Sequence, residues 1–270
     1  MRPQATMIVD SHAHVSPCWY EPVETLLHHM DRHGVETAVL TQMIGQVDNG
    51  YQQDCVSRYG ERFLSVVWVD AQAPEAGATV ERLAYAGAAG VRLRPGACLP
   101  DGTLPDVWRA AQQCGLPVSC VGSAEAFAAP AFAGLLAALP EITVVLEHLG
   151  GSSAPVDTDE ALALRQAVFS LARLPNVMLK LPGMGELMPR SPTALRDGEP
   201  FGGRSHPLVE QALVAFGARR LMWGSDFPVV SAREGYGNAL KFAMQSLAGQ
   251  PAQALDDIFC RNALRVFRER

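Results

Sequence analysis

Apolar and polar positions along the chain follow one alternating rhythm. A short run rich in Val, Leu and Ile is followed by a longer, alanine-rich stretch whose apolar positions recur at helical spacing, and the pair then repeats. The short runs are 7–12 (MIVDSH), 35–42, 63–70, 90–95, 116–122, 142–148, 176–181 and 220–226. Between them lie helix candidates such as PVETLLHHMDRHG, LPDVWRAAQQCG, DEALALRQAVFSLARLP and HPLVEQALVAFG, and the chain closes on PAQALDDIFCRNALRVFRER. Several of these stretches stop at a glycine just before the next run, as at Gly34, Gly87 and Gly115, where a left-handed residue ends a helix. Near-continuous apolar strands predict a parallel sheet covered on both faces. Eight β-then-α units with no clear break predict an α/β fold, a closed (β/α)8 TIM barrel, as a single domain over 1–270. The competing open, doubly wound sheet would offer a glycine-rich turn after its first strand. Here that turn reads HAHVSPCWY, without glycine.

In such a barrel the chemistry sits where the strands end. The first strand ends in MIVDSHAHV, and strict alternation places Asp10, His12 and His14 on one face. Asp10 lies one residue pair deeper and is expected to be a hydrogen-bonding support in the barrel floor. The other strand ends offer Arg92 and Arg94, then Ser119, Cys120 and Ser123, then Glu147 and His148, then Lys180, and finally Asp226 within WGSDFP. A lone strand-end histidine is more often structural, but three of the seven histidines fall at predicted strand ends. His28, His29, His33 and His206 fall in helices or loops and are expected to be surface or capping residues. Paired imidazoles on one face suit a divalent metal, and a strand-end aspartate can complete the site or act as general base for a water. An arginine at the pocket grips a carboxylate with its planar fork; its bland alternative is an ion pair, Arg92 with Glu147. Lys180 either binds substrate or only snorkels at the rim. Cys120 is either a thiolate ligand or a plain core residue. The long connection 182–206, with Arg190, Arg196 and Arg204, is either a solvated excursion or a substrate lid.

Composition narrows the partners. The chain has 270 residues, 48% hydrophobic and 19% charged, with net charge −6. No basic run tracks a phosphate backbone, so nucleic acid is not an expected partner. No window approaches the roughly 20 apolar residues of a membrane span, and no secretory leader is visible. The six cysteines include no CxxC pair, which points to reduced thiols and a cytoplasmic location.

The chain resembles the amidohydrolase superfamily. Within it, the chain is similar to the branch that holds 2-pyrone-4,6-dicarboxylate lactonase, sugar-lactone hydrolases and 4-sulfomuconolactone hydrolase. A neighbouring branch holds zinc decarboxylases. The matching pieces are IVDSHAHV, VDNGYQQDCVSRYGERFLSVVWVD, GVRL, EHLGG, VMLKLPG, WGSDFP and NALRVF, spanning about Met7 to Phe267. The resemblance implies that Asp226 takes a proton from the attacking water. It implies that His12, His14 and His148 bind metal or polarise the substrate carbonyl, and that Arg92 and Lys180 contact the substrate. It also implies one divalent ion, zinc, on His12, His14 and Asp226, or direct polarisation without a metal. Strands four and five lack the histidine, carboxylated lysine or glutamate with which metal-dependent members complete the cage. The implied activity is hydrolysis of a lactone or similar cyclic ester on a small, carboxylate-bearing molecule. The alternatives are metal-dependent decarboxylation of a small unsaturated or aromatic acid, and a barrel that binds a small acid without catalysis. Expected partners are a small anionic substrate and a second copy in a homodimer.

Overall fold

The computed structural model describes residues 7–153, 157–197, 201 and 206–269. Eight strands appear in the expected order: β1 Ile8–Ala13, β2 Val35–Thr41, β3 Phe63–Trp68, β4 Gly90–Leu93, β5 Val118–Cys120, β6 Val144–Leu146, β7 Val177–Leu181 and β8 Leu221–Trp223. Each pairs in parallel with the next. The ring closes beyond the end of β8. There Asp226 N donates to His12 O (2.9 Å), His14 N donates to Phe227 O (2.7 Å), and Ala13 bridges Phe227. The molecule is a (β/α)8 TIM barrel.

Two buried apolar layers hold it. One lies between the strands and the surrounding helices and includes Leu26, Met30, Leu40, Trp108, Leu135 and Trp223. The other fills the lower barrel with Val9, Val39, Val66, Val145, Met178 and Met222, closed from below by Cys260, Ala263, Val266 and Phe267 of the C-terminal segment. Strand alternation then decides what comes above. Two residues past Val66, Val145 and Met178, the same face carries Trp68, Glu147 and Lys180. The apolar floor therefore gives way to a polar ceiling at the mouth.

Several strands are shorter than expected. The run 142–148 stops pairing at Leu146 and the run 220–226 at Trp223, so His148 and Asp226 stand on turns just past the strands. The closing stretch 251–270 is not one helix. It splits into Ala252–Asp256, a wider turn over Asp257–Arg261, and Asn262–Phe267. In the 182–206 connection, Met184 and Leu187 are buried and Phe201 packs edge-on against Phe242 (5.3 Å), so these residues are anchored in the core. The connection read as either a solvated excursion or a lid falls in part on 198–200 and 202–205, Arg204 among them, which lie outside the described residues. Among the described residues no helix is long and apolar enough to cross a membrane.

Candidate active site

The first strand does not keep strict alternation. Its pairing with β2 shifts register between Asp10 and Ala13, and this separates Asp10 from the two histidines. Asp10 accepts from Ser225 N (2.8 Å), Ser225 Oγ (2.6 Å), Tyr236 OH (3.0 Å) and His12 N (3.1 Å). It is a hydrogen-bonding support, as expected, but it ties β1 to the β8 turn rather than lying in the floor. Gly224 completes this joint. A Cβ there would lie 2.5 Å from His12 Cβ, so only glycine lets the β8 turn pass His12.

His12, His14 and Asp226 converge. His14 Nδ1 lies 2.6 Å from Thr41 O. A carbonyl only accepts, so the His14 proton sits on Nδ1 and the lone pair of the neutral ring is on Nε2. That Nε2 faces Asp226 Oδ1 at 3.5 Å. Two acceptors turned toward each other call for a proton or a cation between them. His12 Nε2 lies 3.9 Å from the same oxygen, and it is buried without a hydrogen-bond partner. The ligand atoms of the three residues lie within 4.8 Å of one another, an arrangement that fits one divalent cation. Burial alone would raise the Asp226 pKa, but His14, His148 and Arg233 draw it below the ordinary value and keep the carboxylate ionised.

His148 joins from the other side, its ring 5.1 Å from that of His12. Its Nδ1 donates to Glu186 Oε2 (2.9 Å). Burial pushes the His148 pKa down, yet Glu186 and Asp226 outweigh this and raise it, favouring the imidazolium. Arg233 bridges the pair, reaching Glu186 Oε2 (3.4 Å) and Asp226 Oδ2 (3.2 Å). Backbone strain gathers at this point. Among the described residues, the non-glycine positions with positive φ are His148 (50°), Leu149 (53°) and Asp226 (59°). Two of the three are candidate site residues, as stored strain at a working site would have it.

A third group lines the inner wall. Arg92 donates through Nε and Nη2 to Glu147 (2.6 Å at the shortest) and through Nη1 to Gln42 O (2.7 Å). Ser119 Oγ also donates to Glu147 (2.7 Å), and Lys180 Nζ donates to Ser119 Oγ (2.9 Å). Burial would raise the Glu147 pKa, but Arg92 and Lys180 hold it at about 2. Burial also lowers Lys180 to about 8, against the pull of Glu147. Lys180 Nζ lies 2.9 Å from His12 Nδ1. While the lysine is charged it donates there, and the proton of a neutral His12 stays on Nε2. For His12 Nε2 to ligate a cation, the proton must move to Nδ1 and Lys180 must accept it as the amine.

The structure thus brings His12, His14, His148, Asp226 and Lys180 together, with Arg92 joined to them through Glu147 and Ser119. The Arg92–Glu147 ion pair is present, and the Arg92 side chain also lines a cavity at the barrel mouth. Cys120 points away, into the apolar layer outside the strands; burial drives its thiol pKa well up, as for a core residue rather than a ligand. His206 caps a helix, accepting from Leu208 N (3.2 Å), while His29 and His33 pack on Tyr236 and are half-buried rather than surface residues. Glu186 and Arg233 were not singled out by the sequence. Glu186 lies in the one-turn helix Met184–Leu187 and Arg233 in a turn past β8, segments too short for periodicity to mark a residue as inward-facing.

Residues 9–268 match the model of the amidohydrolase family (Amidohydro_2). L-fucono-1,5-lactonase of Burkholderia ambifaria is 28% identical over 205 residues, which cover 73% of this chain and 67% of that protein. An amidohydrolase from Burkholderia multivorans, crystallised with bound zinc, has the same fold. Its TM-score is 0.75 at 21% identity, over 97% of this chain and 99% of that one. A probable 2-pyrone-4,6-dicarboxylic acid hydrolase from Acinetobacter baumannii, with citric acid bound, gives a TM-score of 0.71 at 22% identity, over 96% and 98% of the two chains.

Proposed function

The chain belongs to the amidohydrolase family, and on that premise we propose that it hydrolyses a lactone, or a similar cyclic ester, of a small carboxylate-bearing molecule. The observation that carries this reading is the buried triad in which His14 Nε2 and His12 Nε2 turn toward one oxygen of Asp226. Asp226, kept ionised, takes a proton from a water as that water attacks the ester carbonyl. The ring C–O bond then breaks, and His148, held toward its charged form by Glu186, gives a proton to the departing oxygen. Lys180, as the amine that accepts from His12 Nδ1, holds the His12 ring with Nε2 turned toward Asp226. Arg92 enters through Glu147, whose carboxylate it fixes beside the site. His12, His14 and Asp226 would hold one divalent ion, which we assign as zinc; bound there, it supplies Lewis acidity toward the carbonyl and the water. The similarity to a lactonase and the carboxylate-binding chemistry of the basic residues both support the ester reading.

The test is a screen of small lactones, L-fucono-1,5-lactone and 2-pyrone-4,6-dicarboxylate among them, read by acid release and paired with metal analysis. Stoichiometric acid release from at least one lactone, with about one zinc per chain and activity lost to a chelator, is the expected result. Evolution of carbon dioxide from an unsaturated acid, with no lactone opened, would overturn the proposal in favour of decarboxylation. Full turnover by metal-free protein would overturn the zinc assignment alone.

A further inference from the structure

Asp226 divides its two oxygens between two kinds of partner. Oδ1 faces the imidazoles, with His14 Nε2 at 3.5 Å and His12 Nε2 at 3.9 Å. Oδ2 faces the guanidinium of Arg233, whose Nη2 lies 3.2 Å away. On that second side stands another set of metal-ligating side chains. His148, Glu186 and Asp226 each bring one ligand atom within 4.8 Å of the other two, as do His12, His14 and Asp226. Two sets of imidazole and carboxylate therefore meet at one aspartate. A carboxylate has two oxygens and lone pairs enough to serve a cation on each side.

The second set already has a cation in it. Arg233 has a carboxylate before each of its three nitrogens: Glu186 Oε2 at Nη1 (3.4 Å), Asp226 Oδ2 at Nη2 (3.2 Å) and Glu234 Oε2 at Nε (3.7 Å). None of these is the short, two-pronged contact that Arg92 makes with Glu147. Arg233 Nε and Glu234 Oε2 are both buried, and neither finds a hydrogen-bond partner. The Glu234 side chain is wholly shielded from solvent and fixed by Gly185 N, which donates to Oε1 (3.0 Å). The fold thus aims a buried, unpartnered carboxylate oxygen at the guanidinium. Carboxylates gathered around one point need positive charge between them, and a guanidinium supplies it at every pH at which proteins work. It supplies only a single charge to three carboxylates. A divalent ion would balance them further, but it is repelled by the guanidinium that stands in its place.

We propose that Arg233 is a built-in cation filling a second divalent-metal position, formed by His148, Glu186 and Asp226, and that it keeps the centre to a single metal ion. A neutral side chain in its place opens that position to a second ion, shared through Asp226 with the first. This inference rests on the assignment of zinc to His12, His14 and Asp226 for the first ion. It adds the residue that sets the number of ions.

The test counts zinc. Wild type, Arg233→Lys and Arg233→Met are stripped with a chelator, incubated with excess zinc chloride at pH 8, desalted and analysed by atomic emission. Circular dichroism on the same samples checks the fold. Wild type and Arg233→Lys, which keeps the charge, are expected to hold about one zinc per chain, and Arg233→Met about two. The double variant Arg233→Met/Glu186→Gln is expected to return to about one, because the extra ion needs the Glu186 carboxylate. A folded Arg233→Met with the wild-type count overturns the inference. So does an extra ion that survives Glu186→Gln, or one that Arg233→Lys also takes up. Should Arg233→Met not fold, Arg233→Gln carries the same prediction. The two readings fail separately. Wild type without zinc, beside an Arg233→Met that gains an ion, removes the zinc assigned to His12, His14 and Asp226 and keeps the role of Arg233. A single ion in both does the reverse.

Discussion

Glu147 shows how much one buried side chain can carry. It accepts from Arg92 and Ser119 and is almost fully buried, so removing its charge strands a guanidinium in the barrel. Its pKa of about 2 in the folded protein lies below the ordinary 4.5. A depressed carboxylate stabilises the fold above the unfolded value, and that stability is lost as pH falls from about 4.5 to about 2, on the order of 3 kcal/mol in all. Glu147→Gln should cost about 3–5 kcal/mol at neutral pH and should flatten this part of the acid limb. Urea unfolding of wild type and variant at pH 7 and at pH 3 measures both, and equal midpoints at the two pH values would show that the pair is not what holds the wall. The residue types here were legible in the chain because His12, His14, Arg92, Glu147, His148, Lys180 and Asp226 are polar groups closing apolar runs. Glu186 and Arg233 were not, because their positions depend on how a one-turn helix and a turn fold over the mouth.

At the scale of the element, what matters is where each strand stops and how the chain turns. Alternation correctly foretells that Lys180 stands above Met178 and Trp68 above Val66 on the inner face. It fails at β1, where the register shift after Asp10 lets that residue reach Ser225 and Tyr236 while His12 and His14 face the mouth. No pattern of apolar positions encodes such a bulge. The β8 end fails more mildly: pairing stops at Trp223, and Asp226 reaches the site on a left-handed turn. Gly224 is the tightest point of that turn. Gly224→Ala should push the β8 turn away from His12, destabilise the protein by about 1–3 kcal/mol and weaken retention of the proposed zinc ion. Thermal unfolding and zinc content on the same samples check this, and a variant matching wild type in both would mean the close approach to His12 has no consequence.

At the scale of the molecule, the barrel separates support from chemistry. Apolar side chains and the C-terminal segment fill the lower interior, the helices cover the outside, and nearly every buried ionisable group gathers at the mouth. The eightfold rhythm was legible from the first apolar runs because a parallel strand buried on both faces must be almost wholly apolar. The division of labour within the mouth needed the geometry, since only distances show that Arg92 is committed to Glu147 and that Asp226 is the meeting point of two imidazoles. Asp226 is therefore the residue on which the proposed chemistry turns, and its replacement by asparagine, with lactone opening measured beside wild type, is the most direct test. Asp226→Asn should keep the wild-type fold by circular dichroism and lose on the order of 10³-fold or more in turnover. A variant that folds and still opens lactone within about tenfold of the wild-type rate would contradict the role given to this aspartate.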